Sequence, residues 1–189
     1  MARQLMVDVI TSLDGFGSAQ GWPGLWGLGG PEYFAWLAQD GKQARTLLMG
    51  ATTYRLFADF AATGEEDIDE LTEVPKVVFS STLREPLSWA NSVLVAGDAV
   101  EEVRSMKKQG EGQLRTIGSA TLCRSLLRAG LVDRYRVVVF PVVNGATGAD
   151  RVYDGWPDVA LELVESKTLD GRLQLLEYVP TVLDGPPST

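Results

Sequence analysis

The chain has 189 residues, of which 45% are hydrophobic and 22% charged, proportions typical of one globular domain with a sizeable core. Its formal net charge of −8 disfavours nucleic acids and anionic membranes as partners, because both attract basic surfaces. The sequence has no histidine and a single cysteine, Cys123. Histidine-based nucleophilic catalysis, most catalytic zinc sites and an internal disulfide are therefore excluded, and we predict no metal site.

The ends of the chain carry no pattern of a targeting segment. The short apolar run at the start is interrupted by Asp8, unlike a signal peptide, and no apolar segment is long enough to span a bilayer. With the lone cysteine, these features favour a cytoplasmic protein. We predict one domain over 1–180 and a loose tail over 181–189.

Apolar periodicity and turn residues predict strands that alternate with helices. The expected strands are 4–11, 46–49, 76–80, 92–95, 113–117, 133–143, 161–169 and 172–179. The expected helices are 32–41, 53–60, 100–109 and 120–129, with a long glycine-rich loop over 15–31 and a helical turn in the acidic loop over 62–75. This order favours an α/β domain with a mostly parallel sheet, to which the last two strands add an antiparallel hairpin.

The segment LLMGATTYRLF, residues 47–57, places a glycine and two threonines where a buried strand passes into a helix. Gly50 allows a tight turn and the close approach of a ligand, while Thr52 or Thr53 can cap the helix. Unpaired amides and the helix dipole at such a start favour an anion. Taken alone, the pattern favours ordinary helix capping over a binding site.

The segment QLRTIGSATLCRSLL, residues 113–127, repeats this arrangement with Gly118 and Ser119 before the next helix. Two such turns at the carboxyl ends of strands in one sheet are what the separated phosphates of a dinucleotide require. Neither turn has the glycine spacing of a Rossmann fold or a P-loop. A third polar turn, Ser80 to Thr82, offers hydroxyl groups to a ribose or a phosphate, although by itself it is more simply a polar turn.

In this order the motifs resemble the dihydrofolate reductase-like fold family. The resemblance is greatest to the reductase domain of the bacterial riboflavin-biosynthesis deaminase–reductase and its stand-alone relatives. It is carried by TSLDGF, LLMGATTY, VPKVVFSSTL, LRTIGSATLCRSLLRAGLVDRYRVVVFPVVNG and LVESKTLDGRLQLLEY, which cover nearly the whole chain. It implies a mixed, mostly parallel α/β sheet flanked by helices, NADPH as cofactor, a small-molecule substrate and a homodimer.

The resemblance also implies which residues bind the cofactor. The adenosine half would contact the first glycine turn and the strand-end serines, namely Gly50, Ala51, Thr52, Thr53, Ser80 and Ser81. The pyrophosphate would lie over the second turn, namely Gly118, Ser119, Ala120, Thr121 and Leu122. The nicotinamide would lie along the first strand and the following loop, near Val9, Thr11, Asp14 and Gly17. In dihydrofolate reductases the second turn is Gly-Gly with a cis peptide bond, and here both isomers stay open.

Some residues depart from the family pattern. Ala51 stands where the relatives carry an arginine that binds the cofactor's phosphate, so the choice between NADPH and NADH is open. Arg55, one helical turn later, is the candidate replacement. The family's HPVVLG reads FPVVNG here, so that a familiar polar group becomes Phe140.

Glu32 and Asp14 are the candidate proton donors, with water as the alternative. Glu32 follows the tryptophan-containing loop, where dihydrofolate reductases carry the acid that holds the pterin ring. The helix dipole explains an acid in a first turn equally well. Asp8 interrupts an apolar strand and could face substrate, solvent or a second subunit. Trp22 and Trp26 could form a lid or anchor their loop.

These features predict a reductase that transfers a hydride from NADPH, or NADH, to a C=N or C=O group of a small planar or ribosyl substrate. The alternatives among enzymes are 5-amino-6-(5-phosphoribosylamino)uracil reductase and dihydrofolate reductase. The glycine-rich loop and the first helix contain no basic residue before Lys42, which makes the phosphorylated uracil substrate less favoured. Val139 is apolar, which makes dihydrofolate less favoured as the substrate. The alternative of another class is a non-catalytic nucleotide-binding protein on a reductase scaffold.

Overall fold

In the computed structural model, which describes residues 2–64 and 68–186, strands and helices follow the predicted order. The strands are β1 (Leu5–Ser12), β2 (Phe16–Ala19), β3 (Arg45–Gly50), β4 (Lys76–Phe79), β5 (Ser92–Val95), β6 (Gln113–Thr116), β7 (Arg134–Phe140), β8 (Gly148–Arg151), β9 (Val159–Leu169) and β10 (Leu173–Val182). The helices are α1 (Pro31–Gly41), α2 (Ala51–Thr63), α3 (Asp69–Glu73), α4 (Ala99–Lys108) and α5 (Ala120–Arg128). None of the helices in these ranges is long and apolar enough to cross a membrane.

Eight of the strands form one sheet in the order β5-β4-β3-β6-β1-β7-β10-β9. Neighbours from β5 to β7 run parallel, while β10 is antiparallel to both β7 and β9. This sheet is the mixed, mostly parallel one with a C-terminal hairpin that the sequence predicts. Because parallel strands end at the same edge, the turns after β1, β3, β4, β6 and β7 meet at one side of the molecule.

Each face of the sheet has its own apolar layer, because side chains alternate along every strand. On one face Leu48 of β3 packs with Leu114 of β6 and with Leu126 of α5. On the other face Met49 of β3 packs with Tyr54 of α2, and a further cluster joins α1 to β7 and β10. Helices α1 and α2 therefore share the face opposite α5.

Helix α2 extends beyond the predicted 53–60 at both ends, and three further regions also differ from the prediction. The loop over 15–31 contains β2, which pairs with the distant β8, so that neither short strand is evident from local sequence. Strand β7 ends at Phe140 because Pro141 cannot donate a ladder hydrogen bond. Strand β10 extends to Val182, so the start of the predicted tail belongs to the hairpin. Residues 65–67 of the acidic loop and 187–189 of the tail lie outside the described ranges.

The two tryptophans of the glycine-rich loop have different surroundings. Trp26 is 5% exposed, and its ring centroid lies 5.2 Å from that of Phe140. It therefore anchors the loop to the core between α1 and β7. Trp22 is 48% exposed and, of the two, is the one available to cover a ligand.

Candidate functional site

Two helix starts lie side by side at the carboxyl edge of the sheet. Strands β3 and β6 are hydrogen-bonded neighbours, and each passes through a glycine turn into a helix. The Gly50 amide donates a hydrogen bond to Ser119 Oγ at 2.7 Å. The hydroxyl oxygens of Thr53 and Ser119 are 2.8 Å apart. The starts of α2 and α5 therefore converge, as the repeated glycine turn predicts.

No side chain in the described ranges caps either of these helix starts. The N-cap residues are Gly50 for α2 and Ser119 for α5. The predicted capping by Thr52 or Thr53 is wrong, because both threonines lie inside the first turn of α2. Helix α4 differs, because Asp98 accepts hydrogen bonds from two of its first amides. Two adjacent starts whose first-turn amides lack side-chain partners form a site suited to an anion.

The turn before α5 depends on glycine at one position. Gly118 has a φ of +56°, and a Cβ atom there would lie 3.0 Å from Thr53 Oγ1. Ser119 also has a positive φ, of 62°. The Gly118–Ser119 peptide bond is trans, since the cis bond of the described ranges joins Glu85 and Pro86. Ala120 and Thr121 are exposed on the first turn, whereas Leu122 is buried in the core and offers only its backbone.

The polar turn after β4 lies beside the first helix start, because β4 is the neighbour of β3. Ser80 Oγ accepts the amides of Thr82 and Leu83 at 3.1 and 3.0 Å, so that this hydroxyl supports its own turn, while Ser81 is exposed. Arg55 of α2 donates to Thr82 Oγ1 at 3.3 Å. The candidate replacement for the missing arginine therefore reaches the predicted adenosine end of the site.

The loops after β1 and β7 are joined through Asp14. Its carboxylate accepts the Asn144 amide at 3.0 Å and the Ser12 hydroxyl at 2.7 Å, and these two hydrogen bonds lower the pKa of Asp14. A lowered pKa keeps the carboxylate ionised, which runs against the predicted role of proton donor. Thr11 lies at the buried end of β1, and Gly17 lies in the β2–β8 ribbon.

Glu32 lies at the exposed start of α1, against the turn between β9 and β10. Its carboxylate accepts the Asp170 amide at 2.5 Å. Asp170 in turn accepts the amides of Glu32 and Tyr33 at 2.9 and 3.1 Å. The sequence did not predict this reciprocal capping, in which Glu32 also lies in the first turn of α1 as the helix-dipole alternative expects, and the predicted catalytic role gains no support from it.

A buried ion network under α1 was not predicted. Arg136 of β7 donates to Asp8 of β1 at 2.5 Å and to Asp40 of α1 at 2.9 Å, and Arg115 of β6 also pairs with Asp40. Burial alone would lower the pKa of Arg136, but the two carboxylates raise it above the ordinary value. Burial alone would raise the pKa of Asp40, but its two arginine partners lower it. The signals in the sequence were the charges at Asp8, Arg115 and Arg136 within predicted strands, of which only Asp8 was singled out.

Asn144 is a second polar residue that the sequence did not single out. It is 2% exposed, and its side-chain Nδ2 and Oδ1 atoms have no hydrogen-bond partner within the described part of the chain. Its backbone amide holds Asp14, as described above. The side chain of Asn144 is buried although the residue lies in the loop after β7, and no local sequence pattern indicates this burial.

Known proteins resemble this chain over almost its full length. It is 25% identical over 182 residues to the uncharacterized protein YyaP of Bacillus subtilis strain 168, covering 93% of this chain and 94% of YyaP. A putative riboflavin biosynthesis protein from Shewanella sp. PV-4 has a similar structure, with a TM-score of 0.70, 21% identity and coverage of 96% and 99%. A dihydrofolate reductase from Enterococcus faecalis, complexed with NADP(H), has a TM-score of 0.60, 13% identity and coverage of 95% and 99%.

These structures show that the fold is dihydrofolate reductase-like, in agreement with the sheet order and the paired helix starts. The sequence pattern described as the RibD C-terminal domain matches residues 3–175. The chain therefore belongs to the RibD C-terminal domain family.

Proposed function

We propose that this protein is an NADPH-dependent reductase whose cofactor binds across the starts of α2 and α5. The observation that carries the proposal is the hydrogen bond from the Gly50 amide to Ser119 Oγ, which holds the two starts together. A pyrophosphate carries negative charge on both phosphates, and each helix start offers amides and the positive end of a dipole. Family membership and the NADP(H) of the similar dihydrofolate reductase support the same cofactor.

The turn after β4 supports NADPH over NADH. Arg55 hydrogen-bonds Thr82 there, and Arg84 donates to the Ser81 carbonyl at 3.1 Å. These two guanidinium groups supply the positive charge that a ribose 2′-phosphate needs, in place of the arginine that Ala51 replaces. An exposed Ser81 adds a hydroxyl group at the same turn.

The bound nicotinamide supplies a hydride for a C=N or C=O group, and the residues of this chain supply binding, orientation and exclusion of water. The backbone of β1 near Val9 and Thr11 is the proposed contact of the nicotinamide. Because Asp14 is held ionised and Glu32 caps a turn, neither is placed to deliver a proton. Water is the proposed proton source.

The proposed substrate is a small planar or ribosyl compound. The name of the Shewanella protein suggests the riboflavin pathway, in which 5-amino-6-(5-phosphoribosylamino)uracil would be reduced. Its phosphate would need basic residues, and none occurs in the glycine-rich loop or in α1. An unphosphorylated ring is therefore the first choice, with the riboflavin intermediate and dihydrofolate as the alternatives to be tested beside it.

Titration with NADPH and NADH, followed through the fluorescence of the five tryptophans, tests the cofactor. We expect saturable binding, tighter for NADPH than for NADH. Oxidation of bound NADPH at 340 nm, measured on the riboflavin intermediate, dihydrofolate and unphosphorylated pyrimidine ribosides, then tests catalysis. Absence of nucleotide binding would refute the proposal, whereas binding without turnover on any substrate would favour the non-catalytic alternative.

We also propose that the protein is a homodimer that associates through β9. This strand is one of the two edges of the eight-stranded sheet, and its apolar residues Leu161, Leu163 and Val164 are 44 to 56% exposed. An edge strand with open backbone groups and apolar side chains is a surface that proteins cover. Analytical ultracentrifugation of Leu163→Lys should show a monomer where the unaltered chain is dimeric; a dimeric variant would place the contact elsewhere.

A further inference from the structure

Ser119 occupies polar groups of the proposed cofactor site. Its Oγ accepts the Gly50 amide at 2.7 Å and lies 2.8 Å from Thr53 Oγ1. Gly50 is the N-cap residue of α2, so its amide is one of the four that a helix start leaves without an acceptor inside the helix. In the structure a serine hydroxyl, rather than a phosphate, satisfies this amide.

The contact lies where a ligand can reach it. Gly118 and Ala120, on either side of Ser119, are exposed, while Gly50, Thr53 and Ser119 are half-buried. A Cβ atom added at Gly50 would lie 3.4 Å from Ser119 Oγ, so the hydroxyl lies directly against the turn before α2. Breaking the contact therefore leaves the apolar core in place.

A serine hydroxyl and a phosphate oxygen compete for the same donors. Both accept a hydrogen bond from a backbone amide or a hydroxyl group. The phosphate oxygen is charged, and hydrogen bonds to charged groups are roughly twice as strong as those between neutral groups. A bound phosphate can therefore displace the Ser119 hydroxyl, but only after the two contacts of that hydroxyl are broken.

The backbone of Ser119 is strained in the position that makes the contact. Its φ of 62° and ψ of 65° lie in the left-handed region, which serine adopts rarely and glycine adopts without a steric penalty. The Ser119 carbonyl also accepts the Cys123 amide at 3.0 Å, so the strained residue begins α5. Strain of this kind is concentrated at ligand clamps and switch regions.

We propose that Ser119 is an internal competitor of the cofactor, whose hydroxyl occupies the Gly50 amide and the Thr53 hydroxyl until a phosphate of the cofactor displaces it. This inference rests on the proposed reductase function. It gives Ser119 the opposite effect to the direct cofactor contact that the family resemblance implies. The contact lowers the affinity for NADPH, because only the fraction of molecules in which it is broken can bind the phosphate.

Two variants separate the hydroxyl from the backbone. Ser119→Ala removes the hydroxyl and keeps a side chain at a positive φ, whereas Ser119→Gly removes the hydroxyl and the strain. We expect both to bind NADPH about threefold to tenfold more tightly than the unaltered protein, as the loss of one competing hydrogen bond predicts. Fluorescence titration measures the affinities.

Ser125→Ala is the matched control, because the Ser125 hydroxyl donates within α5 to the Thr121 carbonyl at 3.0 Å. It should leave the affinity for NADPH unchanged. Equal or weaker NADPH binding by Ser119→Ala would overturn the proposal, and a gain confined to Ser119→Gly would trace the effect to the backbone and overturn it as well. Absence of NADPH binding by the unaltered protein and both Ser119 variants would instead refute the reductase function.

Amide NMR follows the Gly50 N–H group directly. Without NADPH its resonance should differ between the unaltered protein and Ser119→Ala, because the variant lacks the hydroxyl that accepts this amide. In saturating NADPH the difference should largely disappear, since a phosphate oxygen is then the acceptor in both proteins. A difference that persists in saturating NADPH would show that Ser119 still holds the amide and would overturn the proposal.

Discussion

The turns after β3 and β6 differ in chemistry from the strand surface beneath α1, although the two regions are neighbours. The first region is built mainly from backbone: Gly50 and Gly118 bring two helix starts together, and the Ser119 hydroxyl links them by hydrogen bonds with the Gly50 amide and the Thr53 hydroxyl. The second is built from charged side chains, with Asp8 held by Arg136. Backbone amides at helix starts suit the phosphates of a cofactor. Side chains differ between members of a fold family and can therefore select a different substrate in each.

The largest effect is expected at Arg136, which holds the second region together. Arg136→Met leaves the carboxylates of Asp8 and Asp40 without their main partner, so the free energy of unfolding should fall by about 3–5 kcal/mol. Urea denaturation measures this change in the free energy of unfolding. Arg84→Met, on the surface, should change stability by less than about 0.5 kcal/mol. Equal changes in the free energy of unfolding for the two variants would contradict the proposed contribution of the ion network to stability.

Gly118→Ala should affect the first region through its geometry. The new methyl group would lie 3.0 Å from Thr53 Oγ1 and would move the two helix starts apart. We expect NADPH affinity to fall by about tenfold or more, or roughly 1.4 kcal/mol. Gly130→Ala is the matched control, because Gly130 also has a positive φ, of 63°, with no atom within 4 Å of its added Cβ. Similar NADPH affinities of the two variants would argue against the site.

Arg55→Gln should sharpen the distinction between the two cofactors. Removal of the charge beside the turn after β4 should weaken NADPH binding by about fivefold, roughly 1 kcal/mol, and leave NADH binding unchanged. Fluorescence titration with both nucleotides measures the ratio. Arg104→Gln, on the exposed side of α4, is the control and should alter neither affinity. An equal loss of affinity for NADPH and NADH would show that Arg55 does not bind the 2′-phosphate.

The smallest effect is expected for Asp14, which joins the loops after β1 and β7. Because its pKa is lowered in the folded chain, Asp14 contributes stability that is fully present above its unfolded pKa of about 4. That contribution is lost as the pH falls below this value. The urea midpoints of the unaltered protein and of Asp14→Asn should therefore differ near pH 7 and approach each other towards pH 3. A constant difference would show that Asp14 does not titrate as proposed.

Much of the fold could be predicted because its signals are local. Glycine turns, apolar alternation and the Asp170-Gly171 hairpin signal act within a few residues, and they predicted the order of elements and the convergence of the two helix starts. The ribbon of β2 and β8 escaped prediction because its two short strands are distant in sequence. The hydrogen bond between Glu32 and the Asp170 amide escaped prediction because the two residues lie on different elements.

By itself the sequence determined the α/β architecture, the absence of histidine chemistry and the two glycine turns that mark the proposed cofactor site. Only the tertiary structure decided which side chains meet. It joined Asp8, Asp40, Arg115 and Arg136 from three strands and a helix, and it placed the carboxamide of Asn144 in the interior. Backbone geometry follows from short-range sterics and hydrogen bonding, whereas the pairing of buried charges depends on how strands are ordered in the sheet.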